Sequence, residues 1–316
     1  MNMKKAFWVL AILVISSLML ACVPSKKKAA TEKRRIFGAT YMNMTNPFFV
    51  VLDEGIREIV EAHGDKLISY DPASDQLKQI GQIEEFIGLG VDAIFLNPVD
   101  WNLVKPALEA ARKAGIPVIN VDAPVYDLDL VDCVVSSDNV KAGQLLAEDL
   151  LKRLPRARIA QLDHLQAKSA IDRKDGFLGV LASNNNYSVV SRISCEGNIE
   201  PAMTGMESIL NSGARIDAVF ATNDPMATGA VAALVAAGLD GKVLVYGVDG
   251  APYAKKMIAD GRMTATAAQS PVGIGREAAD IAYRILAGEK VNKTILVPVF
   301  LIDTENVAGY GVEGWQ

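Results

Sequence analysis

The chain has little of what usually carries chemistry: among 316 residues there are three cysteines and two histidines. His63 and His164 share no metal-ligand spacing, and no helix-borne histidine pair exists, so a zinc site has no support. No Gly-x-Gly-x-x-Gly follows the first strand-like run, and neither a P-loop nor a Gly-x-Ser-x-Gly elbow is present. Gly273-Ile274-Gly275 lacks the third glycine. Dinucleotide, nucleoside triphosphate and acyl-transfer chemistry are therefore not indicated, and no cofactor is expected. A basic excess is also missing: 32 Lys and Arg against 37 Asp and Glu give a net charge of −5, contrary to what phosphate neutralisation by a nucleic-acid partner requires. Nor is any internal stretch rich enough in Gly, Pro or Ser to act as a free linker.

The N-terminus reads as an export signal over residues 1–21: Lys4 and Lys5, the apolar run Ala6 to Leu20, then Leu20-Ala21-Cys22. That run is shorter than the roughly 20 residues a spanning helix needs. The placement of Cys22 resembles a bacterial lipoprotein cleavage site, which implies lipidation of Cys22 and an exported chain anchored to the cell membrane, facing periplasm or exterior. An ordinary secretory signal with an incidental cysteine is the alternative. Residues 22–35 hold Lys26, Lys27, Lys28 and Lys33 with hardly an apolar side chain, the composition of a solvated tether reaching about 20 Å. Cys133 and Cys195, assigned to different lobes, are expected to be separate thiols packed as small apolar groups.

What the chain has is alternation. From Ile36 onward short β-rich runs alternate with amphipathic helical stretches, the pattern of parallel strands joined by helical crossovers. The length calls for two domains, and the strand count fills two sheets of about five or six strands. The second helix is expected after a Ser74 cap and the third after Asp100. One strand after another ends in a polar residue: Ile36 to Tyr41 leads to Asn46, Ile116 to Val121 to Asp122, Ala218 to Thr222 to Asn223, Val243 to Val248 to Asp249, and Met263 to Ala268 to Gln269. In a parallel α/β sheet the carboxyl ends of strands share one edge, outside which ligands bind. These residues are expected to converge on one cleft built for a small, hydroxyl-rich molecule.

Thr45-Asn46-Pro47-Phe48-Phe49, Val121-Asp122, Ser137-Asp138-Asn139, Ala221-Thr222-Asn223-Asp224-Pro225-Met226, Tyr246-Gly247-Val248-Asp249-Gly250 and Ala268-Gln269-Ser270-Pro271 occur in that order. The ordered set resembles the ribose-binding branch of the type I periplasmic binding proteins, the substrate-capturing components of bacterial sugar ABC importers. The resemblance implies two Rossmann-like α/β lobes with parallel sheets, joined by a three-crossing hinge near Ser137, Gln269 and Pro298. The N-lobe would be 36–137 plus 270–298, and the C-lobe 138–269 plus 299–316. It also implies sugar contacts at Asn46, Phe48, Phe49, Asp122, Arg173, Asn223, Asp249 and Gln269. Carboxylates, amides and a guanidinium suit vicinal hydroxyls, which both donate and accept, while aromatic faces cover C–H surface. The implied function is capture of a monosaccharide or polyol by hinge closure, as a monomer serving an ABC permease, with no catalytic residue.

Two departures from the ribose pattern stand out. Ala123 occupies the position where ribose binders carry arginine, and no aromatic occurs between Gly197 and Ala202, so ribose itself is in doubt. Tyr41, Met44 and Trp101 are candidates to line the cleft in compensation, Trp101 equally a candidate for lobe packing. Asp122, Asn223 and Asp249 taken singly are ordinary cap or turn residues. One of Phe48 and Phe49 is expected merely to pack the first helix, Arg173 has an exposed ion-paired reading beside Asp172 and Asp175, and His164 reads as an incidental polar residue. Two other functions are weighed: a glycoside-acting enzyme using Asp122 and Asp249, and a sugar-sensing chemoreceptor or regulatory protein. For a repressor, the export signal stands where the DNA-binding helices would be.

Overall fold

A computed structural model describes residues 34–316. The export signal, Cys22 and the tether up to residue 33 lie outside the described residues. The strands are short and largely apolar because helices cover both faces of each sheet, the condition under which parallel sheets form. The first sheet holds β1 (Ile36–Thr40), β2 (Lys66–Tyr70), β3 (Ala93–Leu96), β4 (Val118–Val121), β5 (Cys133–Ser137) and β11 (Thr294–Val297). Their order is β11-β5-β4-β3-β1-β2, and every pair is parallel. The second holds β6 (Ala157–Asp163), β7 (Tyr187–Ser194), β8 (Ala218–Ala221), β9 (Leu244–Asp249), β10 (Ala265–Ala268) and β12 (Phe300–Asp303). Its order is β12-β10-β9-β8-β6-β7, parallel except where β12 runs antiparallel to β10. The chain thus forms two parallel-sheet α/β lobes.

Each lobe is a three-layer sandwich. In the first, α1 (Pro47–Ala62) and α9 (Pro271–Leu286) bury one face of the sheet around Phe37, Leu52, Ile56 and Ala278. α2 (Gln76–Leu89) and α3 (Lys105–Lys113) bury the other around Ile83, Phe86, Ile94 and Leu108. In the second, α4 (Asn139–Arg153) and α5 (Lys168–Leu181) meet one face through Leu146, Phe177 and Phe220. The opposite face is covered by α6 (Ile199–Asn211), α7 (Asp224–Ala236) and α8 (Pro252–Ala259) through Met206, Ala230 and Ile258, and α10 (Val307–Tyr310) closes the chain.

Helix contacts at corresponding places in the two lobes are set by glycine. A Cβ on Gly143 of α4 would lie 1.9 Å from the Arg173 carbonyl oxygen, and one on Gly176 of α5 would lie 2.1 Å from that of Val140. The pair Gly55 and Gly275 does the same for α1 and α9, with 2.6 Å to the Val272 carbonyl oxygen and 2.3 Å to that of Leu52. These helices touch backbone to backbone, and any side chain would force them apart.

The chain passes between sheets three times: at Asp138 between β5 and α4, at Gln269 and Ser270 between β10 and α9, and at Pro298 and Val299 between β11 and β12. The Asp138 N–H donates to the Val297 carbonyl at 3.2 Å, so the first and third passages run side by side.

Two helix starts differ from expectation. Asp75, not Ser74, caps α2, its carboxylate accepting from the Leu77 and Lys78 N–H at 2.8 and 3.0 Å. Ser74 sits at φ 63, outside the extended region an N-cap needs. Asp100 closes a turn through the Asn102 N–H (2.8 Å), and α3 begins only at Lys105, where Pro106 suits the first turn. Cys133 and Cys195 are free and buried, and burial pushes both thiols up to about 11, the state of inert apolar packing.

Candidate functional site

The carboxyl ends of both sheets face one partly enclosed cavity, the kind of concave place where small molecules bind. Asn46, Phe48, Phe49, Asp122, Arg173, Asn223, Asp249 and Gln269 all line it. Among the described residues no cluster of His, Cys, Asp or Glu is arranged to hold a metal ion, and no helix is long and apolar enough to cross a membrane.

From the first lobe, the loop after β1 is folded by its own amides. Asn43 Oδ1 accepts from the Asn46 N–H (3.2 Å) and the Thr45 hydroxyl (2.9 Å), and Asn46 Oδ1 accepts from the Phe48 N–H (3.0 Å) to cap α1. The cap fixes both phenylalanines on the first helical turn. Phe48 and Phe49 meet edge to face at 5.5 Å, Phe49 stacks on Tyr41 at 6.2 Å, and Phe48 meets Trp315 edge to face at 5.7 Å. Both rings therefore pack the helix and line the cavity, where only one was expected to do more than pack. Asp122 follows β4 directly, at φ 62, with Oδ2 accepting from the Asn97 amide at 3.0 Å. Burial pushes its carboxyl up to about 6, against the opposing pull of Arg173 and Asn97.

From the second lobe, Arg173 reaches the cavity from α5 and is 4 % exposed. Its Nε donates to Asn139 Oδ1 (2.7 Å), its Nη1 donates to the Thr222 carbonyl (2.9 Å) and lies 3.6 Å from Asp249 Oδ1. Asp172 and Asp175 pair with Lys168 and Lys174 instead, so the exposed ion-paired reading of Arg173 fails. Asn223 caps α7 through the Met226 N–H (2.9 Å) and donates to the Gly197 carbonyl (2.9 Å), joining two loops of the cavity wall. Asp249 stands at φ 142 and accepts from Gln269 Nε2 at 2.7 Å; burial raises its carboxyl and Arg173 opposes that.

Four buried side-chain atoms in this wall have no partner among the described residues: Asp122 Oδ1, Asp249 Oδ2, Gln269 Oε1 and Thr222 Oγ1. An unsatisfied buried polar group costs about 1–3 kcal/mol. Such atoms gathered on one cavity, with two aspartates at strained φ, describe a surface awaiting hydrogen-bond donors.

A sequence profile of the periplasmic binding protein domain matches residues 37–290. The chain belongs to the periplasmic binding protein family. The ribose import binding protein of Bacillus subtilis is 36% identical to it over 308 residues, 95% of this chain and 99% of that one. The ribose import binding protein of Escherichia coli is 31% identical, covering 96% and 99%. Among solved structures, an ABC transporter solute binding protein from Bacillus halodurans with bound myo-inositol superposes with a TM-score of 0.83 at 30% identity, covering 89% of this chain and 98% of that one. The periplasmic binding component of the arabinose ABC transporter from Shewanella, bound to α- and β-L-arabinofuranose, gives 0.82 at 32%, covering 87% and 94%. These relatives are solute-binding components of transporters rather than enzymes.

Three expected residues of this periplasmic binding protein do not reach the cavity. Tyr41 is fully buried, its hydroxyl donating to Asp53 at 2.9 Å on the α1 side of the sheet. Met44 packs half-buried on the first-lobe core. Trp101 lies against Tyr126 at 5.5 Å, with Lys168 above its ring and its backbone N–H donating to the Gln166 carbonyl at 3.2 Å, so it packs lobe to lobe outside the cavity. Conversely His164, Glu196 and Thr222 line the cavity without having been anticipated. His164 follows β6 just as Asp122 follows β4, so the strand-end rule applied to β6 would have found it. Burial, helped by the Arg173 charge, pushes its imidazole down to about 4.

Proposed function

We propose that this protein is the substrate-binding component of an ABC importer and captures a monosaccharide or polyol between its lobes. The observation that carries the reading is the convergence of eight side chains from both lobes on one cavity whose walls hold unpartnered acceptors. The names of the relatives, ribose import binding proteins and solute binding proteins with bound myo-inositol or arabinofuranose, support the same ligand class. In this reading Asp122, Asp249 and Gln269 accept from ligand hydroxyls, Arg173 and Asn46 donate to them, and Phe48 and Phe49 cover C–H surface.

The lobes, 36–137 with 270–298 and 138–269 with 299–316, rotate about the three passages, and ligand affinity for the closed form drives the equilibrium. Residues 1–21 direct export, Cys22 carries the lipid anchor, residues 22–35 are the tether, and the monomeric protein delivers its ligand to a membrane permease. Trp101 and Lys168 act as a lobe contact and not as ligand contacts.

A thermal-shift screen of pentoses, hexoses, cyclitols and linear polyols tests this. A ligand at about 100 times its Kd adds about 2.7 kcal/mol of stability, several degrees in Tm for a protein of this size. No shift with any member of the panel would contradict the proposal.

A further inference from the structure

Charge in the cavity wall does not balance. Asp122, Asp249 and Glu196 line it, and Arg173 is the cation among them. His164, with its imidazole pushed down to about 4, is neutral at pH 7. The ion pair of Arg173 is with Asp249, at 3.6 Å, while Asp122 has the Asn97 amide as its hydrogen-bond partner among the described residues. A further buried carboxylate, Asp224, is satisfied from within by the Ala251 N–H (2.9 Å) and the Thr266 hydroxyl (2.8 Å).

The wall is also rich in open acceptors. Asp122 is 5 % exposed, Asp249 3 % and Gln269 1 %, and each of these lining residues carries one unpartnered acceptor oxygen. A neutral polyol supplies donors for these atoms but leaves Asp122 and Asp249 sharing one cation, Arg173, so that one buried carboxyl must hold a proton or stay uncompensated. An ammonium group supplies three donors, no acceptor and the missing positive charge.

We infer that the preferred ligand is an amino-substituted monosaccharide or polyol, its ammonium group seated against Asp122 and its hydroxyls meeting Asp249, Gln269 and Arg173. Glu196, exposed at the cavity and held at φ 52, adds attraction for the cation on entry. This inference rests on the binding function proposed above and narrows it to a charged subclass.

Isothermal titration of the full chain at pH 7 against matched pairs tests it: D-glucosamine with D-glucose, D-galactosamine with D-galactose, 1-amino-1-deoxy-D-sorbitol with D-sorbitol, and an aminodeoxy-inositol with myo-inositol. The amine of at least one pair is expected to bind about tenfold or more tighter than its hydroxyl partner, as a charge-assisted bond in a buried site predicts. N-acetylation should abolish that preference, Asp122→Asn should remove most of it, and Glu196→Gln, at an exposed position that tolerates substitution, should reduce it. Hydroxyl members binding as tightly as their amines, or an amine preference unchanged in both variants, overturn the inference and leave the sugar-binding function standing. Failure of every member of every pair to bind, with the thermal-shift panel still yielding a ligand, overturns the inference alone, and failure of that whole panel as well overturns both.

Discussion

At the scale of single residues, the cavity works because its polar groups are held by neighbours that cannot move. Arg173 is fixed by Asn139 and the Thr222 carbonyl, so its guanidinium is pre-aimed. Replacing it by Met should abolish measurable ligand binding and destabilise the fold by about 3–5 kcal/mol, the usual result of leaving one partner of a buried pair alone. Denaturant titration checks the stability, and Arg173→Lys should not restore binding, because an ammonium cannot meet both fixed acceptors and the ligand. Asp122 gives a pH signature. Its folded-state pKa of about 6 lies above the usual aspartate value, so its contribution to stability is present at low pH and is lost as pH rises towards 6. Ligand donors favour the charged carboxylate, so binding should release a proton near pH 6 and affinity should rise with pH through that window. Titrations in buffers of different ionisation enthalpy measure the release. It should fall in Asp122→Asn, the remainder coming from Asp249, whose carboxyl burial also raises, while Asp224 is bonded inward and does not contribute. Residues at the carboxyl ends of strands, Asp122 just after β4 and Asp249 as the last residue of β9, were legible in the sequence because a parallel sheet fixes where they stand. Tyr41, Met44 and Trp101 were not: their direction depends on loop geometry, and Tyr41 turns in between the sheet and α1 towards Asp53.

At the scale of elements, backbone contact between helices decides where the site residues sit. Gly143 approaches the Arg173 carbonyl so closely that Gly143→Ala must push α5 outward. The expected cost is about 1–3 kcal/mol of stability, together with weaker ligand binding; calorimetry on the variant measures both. Trp315 packs against the cores of both lobes and against the edge of Phe48, so the C-terminal segment backs one wall of the cavity. Trp315→Ala should weaken binding about two- to tenfold, matching the about 0.5–1.5 kcal/mol of an aromatic pair. Unchanged affinity would show that Phe48 needs no support. The helices themselves were legible from apolar periodicity. The α2 cap was not, because Ser74 and Asp75 are both good capping residues and only the left-handed backbone at Ser74 separates them.

For the whole molecule, strand alternation and strand-end polarity sufficed to indicate two parallel-sheet lobes, since each follows from local pattern. Which loops of the second lobe complete the wall followed only in part: Thr222, directly after β8, obeys the strand-end rule, whereas Glu196 stands in the turn between β7 and α6, outside every motif. In the proposed function one cavity between the lobes collects the ligand, with acceptors left open for it. A crystal structure of the protein with the ligand that gives the largest thermal shift tests that claim most directly. It should place ligand donors about 2.6–3.2 Å from Asp122 Oδ1, Asp249 Oδ2 and Gln269 Oε1. A ligand bound elsewhere, or bound in the cavity with those three oxygens still unpartnered, would contradict it.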